Sequence, residues 1–84
     1  MNNYRWIIHV DHLSEEHDSD AGRHGPLDCY KGEENPAVFA MYDDDGVLYY
    51  AGVIWGDYTG FEPLDDYGSP YAGCTEIWIN GERL

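Results

Sequence analysis

Four stretches of the chain alternate apolar and polar residues with the two-residue period of a β-strand. In "YRWIIHV", Tyr4 to Val10, the side chains of Tyr4, Trp6, Ile8 and Val10 fall on one face. "AVFAMY" spans Ala37 to Tyr42, and "VLYYAGVIW" spans Val47 to Trp55. The last, "TEIWIN", Thr75 to Asn80, sets Thr75, Ile77 and Ile79 against Glu76, Trp78 and Asn80.

The two middle strands are apolar on both faces. Val38, Ala40 and Tyr42 oppose Phe39 and Met41, while Val47, Tyr49, Val53 and Trp55 oppose Leu48, Tyr50 and Ile54. A half-solvated strand would carry polar residues on its outer face. Both sides of this pair therefore call for cover, from the long connections or from a second molecule. Between the strands lies Asp43-Asp44-Asp45-Gly46, a turn signature. Glycine supplies a positive φ, and aspartate side chains bond to nearby backbone amides. Gly52, inside the third strand, marks a bulge or a point of close packing.

Two long connections complete the chain. Residues 11–36 hold eight acids, three histidines and two prolines. Ser14 ahead of Glu15 and Glu16 suits one capped helical turn, and Gly22, Gly25 and Pro26 prevent a longer helix. Residues 56–73 mix Gly, Pro and Asp with Tyr58, Phe61, Leu64, Tyr67 and Tyr71, a composition suited to packing back over the sheet. Connections of this length in compact domains are usually functional or disordered. The expected fold is a single mainly β domain over residues 1–84. It comprises a small antiparallel sheet of about four strands, a meander with a central hairpin, long acidic loops and at most a short helix. The first strand belongs beside the fourth or beside the hairpin.

Composition adds charge to this picture. Seventeen acids face four bases, a formal net charge of −13. Duplex DNA carries one charge per ~1.7 Å of axis, so thirteen charges equal about 22 Å of duplex. A folded chain of this length has a radius of gyration near ~12 Å and a diameter of about 30 Å. Its charge per unit length is thus comparable to that of DNA. Direct nucleic-acid binding, which needs a basic footprint, is disfavoured. A basic protein partner is favoured, although acidity also serves solubility alone. The eight tyrosines and three tryptophans suit a thin β core or an interface equally.

Cys29 and Cys74 make no disulfide framework. The N-terminal apolar run is too short for a signal peptide, and no segment reaches the length of a membrane span. A cytoplasmic protein with reduced thiols is expected.

Candidate chemistry is sparse. His12, His17 and His24, with Asp11, Asp18 and Asp20, offer imidazole and carboxylate ligands for zinc or another transition metal, without the spacing of a known ligand motif. A calcium loop aligned on Gly46 fails, because Met41 and Gly52 would occupy its first and last ligand positions. No nucleophile elbow or phosphate loop is present, so no enzyme activity and no cofactor are expected. Cys74 heads an apolar strand, where a buried inert thiol is usual.

The acids are the better signal. Asp43, Asp44 and Asp45 cap the hairpin, and Asp57, Asp65 and Asp66 lie in the second connection. Glu15, Glu16, Asp18 and Asp20 cluster in the first. Carboxylates held on a turn and a packed loop compete for a basic groove with less ordering cost than a floppy tail. These ten residues are the expected partner contacts.

"DDDGVLYYAG" followed by "GFEPLDDYGSPYAGCTEI" resembles a pattern in short, acidic, uncharacterised proteins of bacteria, phages and mobile elements. It covers residues 43–77, about 40% of the chain. By size, acidity and absence of catalytic motifs alone, the chain also resembles phage anti-CRISPR and anti-restriction DNA-mimic inhibitors. That likeness implies a non-enzymatic inhibitor bound to the basic nucleic-acid-binding surface of a host defence complex. The alternatives are a metal-binding module built on the His12–His24 loop, and an accessory protein that homodimerises through its two-sided apolar hairpin.

Overall fold

The computed structural model describes residues 3–11, 22–26 and 32–84. Glu15, Glu16, Asp18, Asp20, His12, His17 and Cys29, together with the capped turn expected at Ser14, lie outside them. Five antiparallel strands form one open sheet: β1 (Tyr4–Asp11), β2 (Ala37–Tyr42), β3 (Leu48–Gly56), β4 (Glu76–Ile79) and β5 (Glu82–Arg83). Their order is β1-β3-β2-β4-β5. The β2–β3 hairpin is central, as its double-sided apolar pattern demands, and β1 lies beside β3.

One face of the sheet carries the core. Trp6, Ile8, Phe39, Met41, Tyr50, Ile54 and Ile77 are each 2% exposed or less. Burying side chains of this size is worth about 1.5–3 kcal/mol apiece. Gly52 sits opposite both Ile8 and Phe39. A Cβ there would collide with the Ile7 carbonyl oxygen and lie 2.9 Å from the Phe39 ring. Close packing is the reason for this glycine.

A nine-residue helix, Leu64–Ala72, covers the core face with Pro63, Leu64 and Gly68 buried. Gly68 and Pro70 argue against an α-helix here, and this helix is wound in the wider π form. Gly73, at φ 76°, closes it: its N–H donates to Ser69 O at 3.2 Å, and Cys74 N–H donates to Gly68 O at 3.0 Å. Each bond spans one residue more than in the usual α-helical end motif. A Cβ on Gly68 would lie 2.6 Å from Met41 Sδ, so glycine lets the helix backbone rest on the sheet.

Three features depart from the alternating pattern, one of them a register shift between Met41 and Tyr42 that pairs Tyr42 with Leu48 and takes Leu48 off the Tyr50 face. The register shifts between Ile8 and Val10, which puts Val10 opposite Ala51 instead of on the core face, and it is 44% exposed. An extra residue in one strand turns all later side chains over. The fifth strand exists because Asn80 (φ 51°) and Gly81 (φ 82°) make a two-residue turn with both centres left-handed. That turn pairs Ile79 with Glu82 and Trp78 with Arg83.

Candidate functional site

The Asp43–Gly46 turn is built by its own side chains. Asp43 Oδ1 accepts the N–H of Asp45 at 2.9 Å and of Val47 at 2.8 Å. Gly46, at φ 79°, donates its N–H to Asp43 O at 3.1 Å, and Asp43 N–H bonds Val47 O at 3.0 Å. The Val47 amide, chiefly, holds the Asp43 carboxyl below the usual carboxylate range. Partial burial opposes this, and the Asp45 amide and the Tyr49 hydroxyl reinforce it. Asp43 is therefore committed to the turn, and Asp44 and Asp45 are the exposed members.

Asp65 and Asp66 are exposed in the first turn of the helix. Asp66 Oδ2 accepts the Tyr4 hydroxyl at 2.8 Å and the Trp6 Nε1–H at 3.1 Å. It thereby ties the helix to β1 and satisfies the indole of a ring only 2% exposed. Burial first, then the Asp66 hydrogen bond and charge, push the Tyr4 phenol up to about 12. Preceding the helix, Glu62 clamps the chain by accepting the Thr59 and Gly60 amides at 2.7 and 2.8 Å.

These acids do not form one cluster. The hairpin tip precedes β3 and Asp57 follows it, while Asp66 lies against Tyr4, which pairs with Gly56 at the Asp57 end. Nine residues of strand separate the two groups by roughly 30 Å. The hairpin-tip carboxylates and those at the Asp57 end thus form two anionic poles at opposite ends of β3, on a body that measures 34 × 26 × 19 Å.

Of the histidine loop, His24 is described. It bridges to Ile7 at the edge of β1, and its Nδ1–H donates to Gly25 O at 2.8 Å. Among the described residues, the only group with carboxylates close enough to share a cation is Asp43, Asp44 and Asp45, and Asp43 already serves the turn. Cys74 is 2% exposed, and burial followed by the Asp43 charge pushes its thiol up to about 11, so it carries no thiolate near neutrality. Among the described residues no helix is long and apolar enough to cross a membrane.

The second face of the sheet was signalled by the two-sided pattern of β2 and β3. The helix covers the opposite face. Here Val38 is 58% exposed, with Ile7, Ala40, Val53, Trp55 and Trp78 half-buried around it. An open cleft of about 480 Å³ is lined by Arg5, Ile7, His9, Glu33, Pro36, Val53 and Trp55. The Arg5 guanidinium lies 5.9 Å from the Trp55 ring centre.

No family model matches the chain, and neither a curated protein nor a solved structure does.

Proposed function

We propose that this protein is a non-enzymatic inhibitor acting in the cytoplasm of a host cell, where it occupies the basic nucleic-acid-binding surface of a defence complex. The observation that carries the reading is charge density on a rigid body. Thirteen net negative charges along a 34 Å axis amount to one per 2.6 Å, against one per ~1.7 Å in duplex DNA. Two features support it further. The acids at both poles stand on ordered turns and a helix, which lowers the ordering cost of each contact. The poles also lie roughly 30 Å apart by strand length, close to the ~34 Å of one duplex turn.

Asp44, Asp45, Asp57 and Asp65 are the contacts assigned by this reading. Asp43 and Asp66 contribute field but are held by the fold. Changing the four contacts to lysine reverses eight units of charge and leaves the turn and the Asp66 anchor in place. Such a variant should keep its circular dichroism spectrum and lose inhibition of its target. A folded variant with full inhibition would overturn the proposal.

A further inference from the structure

The turn between β4 and β5 holds its asparagine by more than the turn itself requires. Asn80 is exposed and left-handed at φ 51°, and Gly81 follows at φ 82°. Tolerance of the left-handed region accounts for asparagine at this position. It does not account for the side chain, which completes a backbone ladder. Strand pairing of β2 with β4 ends at Phe39 and Ile79. Beyond it, Asn80 N–H donates to Val38 O at 2.7 Å, and Asn80 Oδ1 accepts Val38 N–H at 2.9 Å. The chain has already turned, so the side-chain carbonyl stands where a strand residue would offer its backbone carbonyl.

We infer that Asn80 is a modification site, where deamidation is held off by the fold and proceeds when the β4–β5 hairpin lifts from β2. The Gly81 backbone nitrogen gives its proton to water and attacks Cγ of Asn80. The bond from Cγ to the side-chain nitrogen breaks, and that nitrogen takes a proton and leaves as ammonia. The product is a cyclic imide. Water then adds to either imide carbonyl and opens the ring, to aspartate or to isoaspartate, in which the backbone runs through the former side chain. Water is the sole co-reactant, and nothing is oxidised or reduced. Sequence permits the step at this asparagine above the others. Glycine presents no side chain against ring closure, whereas Asn2, Asn3 and Asn35 are followed by Asn3, Tyr4 and Pro36, and proline has no N–H to give up.

Two features of the fold oppose the attack. A turn with both centres left-handed sets the following nitrogen across Cα from Cβ, away from the geometry that ring closure needs. The Val38 amide also holds the carboxamide against β2. Both restraints fail together when the hairpin opens, so the rate follows local opening. The two products then differ in consequence. Aspartate keeps an acceptor for Val38 N–H and adds one negative charge to the −13. Isoaspartate lengthens the backbone by a methylene, which the two-residue turn cannot absorb, so the Val38 bond and the pairing of β5 are lost for good. Asn80 lies outside both anionic poles, and its fate is read separately from partner binding.

The test is incubation of the full chain at mildly alkaline pH, in buffer and in urea, with isoaspartate located by peptide mass spectrometry. Location to the residue matters, because Asp45-Gly46 can close the same ring. The expected result is isoaspartate at position 80 in urea, formed at least about tenfold more slowly in buffer. Trp78→Ala, which loosens β4 where it pairs with Arg83, should speed the reaction in buffer and leave the urea rate alone. In the isoaspartate fraction the Val38 amide should lose hydrogen-exchange protection while the amides between β2 and β3 keep theirs. Equal rates in buffer and urea overturn the inference. So does urea treatment that yields no product at Asn80, a buffer rate that Trp78→Ala leaves unchanged, or isoaspartate that leaves Val38 protected.

Discussion

Asp66→Ala removes an acceptor that two side chains share, and the consequences can be sized. Trp6 is 2% exposed, so its Nε1–H has no ready substitute for Asp66 Oδ2, whereas the Tyr4 hydroxyl can turn to water. A hydrogen bond to a charged group contributes about 1.5–3 kcal/mol, and stranding a buried donor costs about 1–3. These overlap and Asp66 itself is exposed, so the expected loss is about 2 kcal/mol. At roughly 0.05–0.15 kcal/mol per residue, an 84-residue domain holds about 4–13 kcal/mol in all. With a urea slope near ~1 kcal/mol/M, the midpoint should fall by about 2 M. Asp65→Ala, one residue away, should stay within ~0.5 kcal/mol. In the Asp66→Ala variant the Tyr4 phenol should fall part of the way from about 12 towards 10, since burial, the larger cause, remains, read by ultraviolet titration. The sign follows from linkage. The folded state holds the Tyr4 proton more tightly, so its contribution is present below pH 10 and is lost as pH rises through 12. Equal midpoints for the Asp66 and Asp65 variants would refute the anchor.

Three further outcomes follow from the packing. Gly52→Ala drives a methyl group into the Ile7 carbonyl and should cost at least about 1–3 kcal/mol, with early loss of hydrogen-exchange protection in β1; native-like protection would contradict it. Cys74 should react with a thiol reagent at mildly alkaline pH only as fast as the protein opens, and rapid labelling without denaturant would show that its burial is misplaced. The lowered Asp43 carboxyl contributes stability that is present above about pH 4 and is lost as pH falls through its depressed value. Asp43→Asn should flatten that acid limb in urea midpoints, and an unchanged limb would remove Asp43 from the account.

Much of the fold was legible because β signals are local. Alternation marked β1 to β4, and Asp43 to Gly46 marked the central turn through residues that set its own geometry. Residues 56–73 do pack back over the sheet, as their aromatics suggested, but in a helix that Gly68 and Pro70 concealed. Those residues break an α-helical reading and are compatible with the wider winding. The fifth strand could have been found: Asn80-Gly81 is a strong short-range hairpin signal, and it stood next to an alternating run. The facing of Val10 could not, because a one-residue bulge leaves no mark in the hydrophobic pattern.

The candidate acids were legible as a total and not as an arrangement. Asp66 stands beside Asp65 with the same chemistry, and only tertiary structure brings Tyr4 and Trp6, some sixty residues away, to one of them. Asp43 likewise differs from Asp44 and Asp45 because the chain folds its amides onto one carboxylate. Division of the anionic surface into two poles follows from the β1–β3 pairing and the path of the helix, neither of which the spacing of acids encodes.

The most direct test of the central claim is capture of partners from a nuclease-treated host lysate at ~50 and ~200 mM salt, with duplex DNA as competitor. The expected result is a nucleic-acid-binding complex retained at the lower salt, largely lost at the higher, displaced by DNA, and not captured by the Asp44, Asp45, Asp57 and Asp65 lysine variant. Capture that the folded lysine variant retains in full, or no basic partner at either salt, would contradict it.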